Sequence, residues 1–332
     1  MTAINTDFAR QTNAYQRELF VHCYQMTGSV QDAEDLVQET LLRAWRAADR
    51  FDARRASLRT WLYRIATNAC LNALARRRGR PLPSGLVGPS ADPEHPLVRG
   101  QVETWLQPFP DTLLGAERDD PATVVATREQ LRLALIAAWQ LLPPRQRAIV
   151  ILRDVLDFSA AEVAAMLETT PAAANSALQR ARARLRALAL REDQIAEPAE
   201  PAARALVDRY VEAFEHGDIA TLQRLLTEDV IVEMPPLLGW FVGRGAYGRV
   251  IAQLFALRGT DWRLIPTGAN GQPAIAAYVR GHDGAYHANS LQVFSVGGAG
   301  ISRNVVFLDP DLFALFGLAP RLNAGATAVG AG

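Results

Sequence analysis

The sequence predicts a multidomain protein in which two all-α domains precede one α+β domain. The chain has 332 residues, more than one ordinary hydrophobic core accommodates. Apolar residues recur at helical spacing over residues 14–79 and again over 122–191. From Ala202 onward, an amphipathic helix precedes short β-like runs separated by glycine turns. The predicted boundaries are 10–80 and 122–191 for the helical domains, 81–121 for a linker, 200–318 for the α+β domain and 319–332 for a disordered tail.

Charge is balanced overall but strongly segregated along the chain. The 35 cations are all arginine and offset 35 acids, so the formal net charge is zero. Eight arginines and no acid lie between Arg54 and Arg80, and five arginines and no acid lie between Arg180 and Arg191. An acidic cluster without a base comprises Asp32, Glu34, Asp35 and Glu39. This segregation indicates partners of opposite charge, although each run alone could be a solvated helix face.

Cysteine usage and the N-terminus predict a cytoplasmic protein. Cys23 and Cys70 are the only cysteines, too few for a disulfide framework or a zinc site. The N-terminal segment MTAINTDFARQTNAYQ lacks the apolar run of a signal peptide, and we expect no membrane association. Neither a metal nor a cofactor is expected.

The first helical domain is predicted to contain three helices. The second opens at Asp32, and its predicted buried stripe comprises Leu36, Val37, Thr40, Leu41, Ala44 and Trp45. The third carries the segment RTWLYRIATNACLNALARRR, residues 59–78, in which arginines alternate with aromatic residues and asparagines. Arginines can follow a phosphate backbone, and the interleaved groups can accept unstacked bases. The alternative is that Trp61 and Tyr63 are ordinary core aromatics.

The second helical domain contains a predicted helix-turn-helix at residues 159–186. Its two helices are expected to separate at Glu168-Thr169-Thr170. The second helix would turn Ala174, Leu178, Ala181 and Leu185 inward and a polar face outward. Such a helix fits the major groove of DNA, and the alternative is an amphipathic hairpin with a solvated basic face.

Two sequence blocks resemble the sigma-70 family of bacterial transcription initiation factors. DAEDLVQETLLRAW with the 59–78 segment resembles region 2, and LPPRQRAIVILRDVLDFSAAEVAAMLETTPAAANSALQRARARL resembles region 4, of the extracytoplasmic-function group. The resemblance covers residues 14–190. It implies a dissociable subunit of RNA polymerase that binds the polymerase core and promoter DNA.

The resemblance also implies residue roles. Core polymerase would be bound by Asp32, Asp35, Gln38 and Glu39. The promoter minus-10 element would be bound by Arg55, Arg59, Trp61, Arg64, Asn68, Asn72, Arg76, Arg77 and Arg78. The minus-35 element would be bound by Asn175, Ser176, Gln179, Arg180 and Arg182.

Region 4 departs from the family pattern at two places. Glu168 stands where the family usually has a turn glycine, and Asn175-Ser176-Ala177 replaces a stretch that is often more basic. We therefore expect weaker phosphate contacts and a changed minus-35 preference.

The C-terminal third resembles a SnoaL-like domain of the nuclear transport factor 2-like cone, an extension found in a subset of these factors. The fold encloses a pocket that some relatives use for polyketide cyclisation or epoxide hydrolysis. The candidate pocket groups are Trp240, Trp262, Tyr278, His287 and Asn289, with Glu233 and Asp229 as further polar candidates. No tight acid–base constellation is visible, which favours a domain that regulates in cis or senses a ligand over an enzyme.

Three function classes follow from these observations. The first is a sigma factor without catalytic residues, whose further candidate partners are a small-molecule ligand or an anti-sigma factor. The second is a sigma-like DNA-binding region fused to an active SnoaL-like cyclase or hydrolase. The third, a ligand-responsive repressor, leaves the acidic helix and the 59–78 helix without a role.

Overall fold

The computed structural model describes residues 8, 10–75, 79–93, 98–100, 105–114, 127–188 and 200–323. They separate into two compact units. Unit 1 draws on Met1–Pro81 and Leu133–Leu190, and unit 2 draws on Leu82–Arg132 and Arg191–Gly332. The two predicted helical domains therefore share one unit, and the predicted linker belongs with the α+β domain.

Unit 1 begins with three helices that match the predicted ones. They are α1 (Gln16–Thr27), α2 (Val30–Arg46) and α3 (Leu58–Leu74). Gly28 ends α1 in the left-handed conformation, with φ of 67°, which glycine adopts without steric cost. The N-cap side chains of Ser29 and Ser57 accept hydrogen bonds from the backbone N–H groups of Asp32 and Thr60, and so fix where α2 and α3 begin.

The second half of unit 1 contains the predicted helix-turn-helix. Its elements are α4 (Leu133–Gln140), α5 (Pro144–Val150), a π-helical turn (Ile151–Val155), α6 (Ala160–Met166) and α7 (Pro171–Leu188). Ser159 and Glu162 form a reciprocal capping box that starts α6. The turn before α7 passes through Glu168, whose φ of 52° is left-handed and unusual for a residue other than glycine or asparagine.

A buried arginine joins the two halves of unit 1. Arg147 on α5 is 1% exposed, and its guanidinium donates to the Met26 carbonyl at the end of α1. It also donates to the Trp139 and Leu142 carbonyls and to Gln140. Burial lowers the pKa of Arg147 to about 10, so the group stays charged at neutral pH. A cation against the carbonyl end of α1 is also favoured by the helix dipole.

Unit 2 is built on a mixed sheet with helices packed against it. The helices are α8 (Glu200–Glu215), α9 (Ile219–Leu225), α10 (Arg244–Arg258) and α11 (Leu312–Leu315). The strands are β1 (Leu226–Glu233), β2 (Trp240–Val242), β3 (Trp262–Ala269), β4 (Gln272–Arg280), β5 (Tyr286–Gly297), β6 (Gly300–Phe307) and β7 (Arg321–Leu322). Within the described residues the sheet order is β2-β1-β6-β5-β4-β3, with β7 on β5. Strands β1 and β6 pair in parallel, and the other pairs are antiparallel.

The linker segment is hydrogen-bonded to the α+β domain. Asn270, in the turn between β3 and β4, accepts from the Phe109 N–H at 2.8 Å and donates to the Leu131 carbonyl at 2.7 Å. The Trp240 indole donates to the Val87 carbonyl at 2.8 Å. The bond from the Phe109 N–H therefore attaches the centre of the linker to the β3–β4 turn.

The tail differs from expectation where it is described. Residues 321 and 322 form β7, so disorder does not extend over 319–323. Residues 324–332 lie outside the described part of the chain.

Candidate nucleic-acid and protein interfaces

One face of α2 combines exposed acids with exposed large apolar side chains. Asp35, Gln38 and Glu39 are exposed, as predicted for a binding surface. Leu42 is 54% exposed and Trp45 is 52% exposed, one and two helical turns further along. Trp45 was expected in the buried stripe, and that expectation is wrong. The α2 face, defined as Asp35, Gln38, Glu39, Leu42 and Trp45, has the mixture of charge and aromatic surface typical of protein interfaces.

Asp32 has a different environment from the other three predicted polymerase-binding residues. Its carboxylate accepts from the Arg80 guanidinium at 2.7 Å, and the Arg80 side chain is 11% exposed. Asp32 therefore connects the start of α2 to the chain beyond α3.

The exposed side of α3 carries part of the predicted minus-10 set. Arg55 precedes the helix and is exposed, as are Arg64 and Asn72, while Asn68 is half-buried. The side chains of Arg64, Asn68 and Asn72 follow at four-residue steps and so share one helical face. Arg76, Arg77 and Arg78 lie outside the described residues.

The two aromatic residues of α3 have different surroundings. Tyr63 is fully buried, so the core alternative holds for it. Trp61 remains partly exposed, and its ring lies 5.3 Å from that of Phe51 in the loop before α3. Trp61 and Phe51 together form an aromatic surface at the start of the cationic helix, where a base could stack.

Arg59 is engaged inside unit 1. Its guanidinium lies 5.1 Å from the Tyr63 ring centroid and 4.6 Å from that of Phe158, and it pairs with Glu18 at 3.2 Å. It also donates to the Leu156 carbonyl at 3.4 Å. These contacts hold Arg59 in place by cation–π attraction and hydrogen bonding.

The predicted recognition residues of α7 are all exposed, but one of them, Arg182, is already paired within unit 1. All five predicted residues are exposed, while Ala174, Leu178 and Ala181 are buried. Arg182 forms a bidentate pair with Asp154, at 2.9 and 2.5 Å. Within the described part of the chain, the side chains of Asn175, Ser176, Gln179 and Arg180 make no hydrogen bond or ion pair.

The five predicted pocket residues of unit 2 do not converge on one site. Trp262 packs in the core, with its ring 5.6 Å from that of Phe214. Tyr278 packs on Phe313, and Trp240 bonds the linker. The His287 side chain is 46% exposed and lies 3.0 Å from Asp283, and Asn289 is half-buried on the same strand.

The interior of the cone instead contains a polar cluster that the sequence analysis missed. The Tyr210 hydroxyl is hydrogen-bonded to the Tyr247 hydroxyl and donates to Gln292 at 3.2 Å. Asn304 donates to Gln292 at 2.9 Å and to the Tyr247 hydroxyl at 3.3 Å, while its Oδ1 is buried without a partner. The signal for this cluster was present, since Gln292 and Asn304 each stand directly before apolar residues of a β-like run.

The chemistry of this cluster is limited. Burial raises the pKa of Tyr247 to about 12 and that of Tyr210 well above its usual value. Neither phenol is therefore ionised at neutral pH. The described hydrogen bonds of the cluster include no carboxylate and no imidazole.

Glu233 is fully buried on β1. Its Oε2 accepts from the Ser84 N–H at 2.8 Å, and its Oε1 lies 3.0 Å from Arg303 Nη2 without the alignment of a hydrogen bond. Asp229 is exposed and bonded to Thr227. Glu233 thus holds the linker at Ser84.

The helices in the described ranges include none whose length and apolar character would let it cross a bilayer.

Comparisons with known proteins agree with the domain layout. Sigma-70 region 2 matches residues 12–80, sigma-70 region 4 matches residues 132–185, and a SnoaL-like domain matches residues 207–304. The ECF RNA polymerase sigma factor SigG of Mycobacterium tuberculosis (strain H37Rv) is 49% identical over 318 residues, covering 95% of this chain and 85% of SigG. SigJ of the same strain is 31% identical over 248 residues, covering 75% of this chain and 68% of SigJ.

A solved structure shows the same architecture. The crystal structure of Mycobacterium tuberculosis extracytoplasmic function sigma factor SigJ matches with a TM-score of 0.63 and 25% identity, covering 92% of this chain and 98% of that one. The order of the helical regions, the C-terminal sheet domain and the extent of these similarities lead to one conclusion: the chain belongs to the ECF RNA polymerase sigma factors that carry a C-terminal SnoaL-like domain.

Proposed function

We propose that the α2 face binds core RNA polymerase while α3 and α7 bind the minus-10 and minus-35 elements of a promoter. The observation that carries this proposal is the exposure of Trp45 and Leu42 beside three polar residues on α2, on a helix separate from the cationic ones. Large exposed apolar groups on a soluble domain favour a protein partner. Cationic faces with free amide groups favour nucleic acid.

The test is in vitro transcription with core polymerase over genomic fragments, paired with a binding assay. The full chain should bind a transcribed fragment tightly with core and weakly without it. Equal binding without core would instead support the repressor alternative.

The C-terminal domain is proposed to regulate the factor in cis, or to sense a small-molecule ligand, by holding the linker. Support comes from the hydrogen bonds that Asn270 and Glu233 make with Phe109 and Ser84 of the linker, and from the bond between Asn270 and Leu131 beyond its end. The Asn270→Gly variant tests this role in the full chain. Asn270 has a φ of 58°, which glycine tolerates, so the variant keeps the turn and removes both side-chain bonds. A several-fold change in promoter-specific transcription is expected, and unchanged transcription with unchanged affinity for core would contradict cis regulation.

A second candidate is catalysis by the SnoaL-like domain. The specific observation in its favour is the buried cluster with an unpartnered Asn304 Oδ1. Against it stands the lack of an acid or base among the described groups of the cluster. Turnover of a small epoxide or polyketide by the full chain, abolished by Asn304→Leu, would support the enzyme.

Two further proposals concern the cellular location of the protein and an additional protein partner. A cytoplasmic location fits a partner that transcribes DNA. An anti-sigma factor is a candidate partner, and the exposed α2 face is where a competitor of core polymerase would bind.

A further inference from the structure

The loop before α3 carries a serine that follows two arginines. Ser57 has Arg54 and Arg55 at the third and second positions before it, and Leu58 directly after it. No other serine or threonine in the 332-residue sequence has arginine at both of those positions. Arginine-directed protein kinases select this pattern, because carboxylates in their substrate groove pair with both guanidinium groups.

The structure presents all three of these side chains to solvent. Ser57, Arg54 and Arg55 are exposed. Within the described ranges, neither guanidinium makes an ion pair or a hydrogen bond. Both arginines are therefore available to the carboxylates of a partner protein, and their binding would interrupt no described contact of unit 1.

The backbone of this loop can open without disturbing a helix. The N–H groups of Arg54 and Arg55 both bond to Asp52 in the same loop, at 2.9 and 3.0 Å. Ser57 already has an extended backbone, with φ of −64° and ψ of 155°, as peptides do in many binding grooves. Its Oγ accepts from the Thr60 N–H at 3.0 Å and so caps α3.

We infer that Ser57 is a phosphorylation site for an arginine-directed serine kinase that uses ATP, and that its modification switches off minus-10 binding. The Ser57 Oγ attacks the γ-phosphorus of ATP, a new Oγ–P bond forms, and the bond from that phosphorus to the β–γ bridging oxygen breaks. ADP leaves with the bridging oxygen, and the hydroxyl proton passes to the aspartate base of the kinase. The inference rests on the proposed function of α3, and the experiments below separate the two.

A phosphate on Ser57 changes the charge of the minus-10 surface. It adds about −1.5 to −2 charges at neutral pH. The Cα atoms of Arg55 and Arg59 lie at most about 8 Å from that of Ser57, since each is two residues away. This distance is shorter than the Debye length of about 10 Å at 0.1 M salt, so the phosphate offsets the cations that attract DNA. The start of α3 is retained, because a phosphate oxygen can accept from the Thr60 N–H as the hydroxyl does.

Modification of the full chain tests the site. Wild-type protein is incubated with ATP and the catalytic subunit of cyclic-AMP-dependent protein kinase, which selects this arginine pattern, and the phosphate is located by mass spectrometry. One phosphate is expected at Ser57, and Arg54→Gln, outside the proposed DNA-binding set, should lower kcat/KM for its transfer at least tenfold. Ser159 is the matched internal control, because it is also an exposed N-cap serine but has Leu156 and Asp157 in place of the arginines. An unmodified Ser57, or equal modification of Ser159, would overturn the inference.

Transcription with core polymerase tests the effect of the phosphate. The phosphorylated chain should be at least tenfold less active than the unmodified chain and should recover after treatment with a phosphatase. Equal activity of the two forms would also overturn the inference. Failure of the unmodified chain to transcribe with core would contradict the proposed function instead, and mass spectrometry would still decide whether Ser57 is the site.

Two variants test the added charge without a kinase. Ser57→Asp and Ser57→Asn place good N-cap residues of nearly equal shape before α3 and differ by one negative charge. Ser57→Asn should transcribe like the wild type, and Ser57→Asp should be about threefold to tenfold less active. Urea unfolding of both variants checks that α3 is retained. Equal activities of the two variants would count against the inference.

Discussion

The guanidinium of Arg182 and the carboxylate of Asp154 form two hydrogen bonds, at 2.9 and 2.5 Å, that tie the recognition helix to the π-helical turn. Neighbouring Arg180 has no such partner among the described residues. Arg180 and Arg182, two residues apart on α7, therefore differ in their contacts: Arg182 is bound within unit 1, and Arg180 has no described partner.

This distinction predicts unequal effects of substitution. Arg180→Ala should weaken promoter binding by the holoenzyme about tenfold, as for loss of one base or phosphate contact. Arg182→Ala should weaken binding less and should lower the free energy of unfolding, an effect that Asp154→Ala reproduces. Binding measured by fluorescence anisotropy, with urea unfolding of each variant, checks both statements. Equal losses of affinity with unchanged stability would contradict them.

The α2 face predicts a polymerase hot spot at Trp45. Trp45→Ala should reduce affinity for core polymerase by more than tenfold, because exposed aromatic anchors dominate interface energies. Its fold should survive, since half of the side chain is already solvated. Leu257→Ala is the matched control, because Leu257 is 83% exposed on α10. The two variants are compared by titration with labelled core, and similar affinities would exclude the α2 face.

Buried His22 predicts a loss of stability in mild acid. Its Nε2 lies 3.0 Å from Thr67 Oγ1, and burial, followed by the charge of Arg59, lowers its pKa from 6.5 to about 3. The unfolded chain binds a proton below pH 6.5 and the folded chain does not, so stability is fully present above pH 6.5 and falls as pH decreases toward 3. The slope is about 1.4 kcal/mol per pH unit.

The measurement is urea unfolding between pH 7 and pH 5, above the range where most carboxylates titrate. His22→Gln should remove most of this slope while retaining a hydrogen-bonding group near Thr67. His216→Gln, at an exposed position, should leave the slope unchanged. A slope that persists in His22→Gln would show that another group is responsible.

The buried pair of Glu233 and Arg303 predicts that the stability of unit 2 depends strongly on the charge of Glu233. Glu233→Gln should destabilise unit 2 by about 2–4 kcal/mol, because it removes the charge of a fully buried carboxylate that lies 3.0 Å from the poorly exposed Arg303 cation. Glu228→Gln is the control, since the exposed Glu228–Arg244 pair should contribute less than about 1 kcal/mol. Thermal unfolding of the two variants distinguishes them, and equal shifts would contradict the assignment.

Hydrophobic periodicity predicted the helices and strands well where a single apolar stripe, or a clear alternation of apolar and polar residues, dominated the segment. The helices containing Leu36 and Leu62 and the break at Glu168 appear near their predicted positions, and strands follow the first helix after Ala202 as predicted. Helix α10 was missed because Gly245 and Gly248 weaken its pattern, although Gly248 is where the Gln223 side chain packs closely. Within residues 122–191, where helical spacing was recognised, the structure interrupts a helix at Arg132.

The candidate sites were less predictable, since they depend on tertiary neighbours. The apolar pattern of α2 could not show that Trp45 is half exposed. Residues distant in sequence, such as Tyr210 and Asn304, meet only because α8 packs on the sheet. The pairing of Arg182 with Asp154 likewise depends on how α7 packs.

The docked linker also limits how far the helical regions can separate. Residues 82–132 could span roughly 170 Å if fully extended, but bonds from Ser84, Val87, Phe109 and Leu131 to the sheet domain fix much shorter stretches. Under the proposed cis regulation, a small molecule that strengthened linker docking would therefore inhibit initiation without contacting DNA or polymerase.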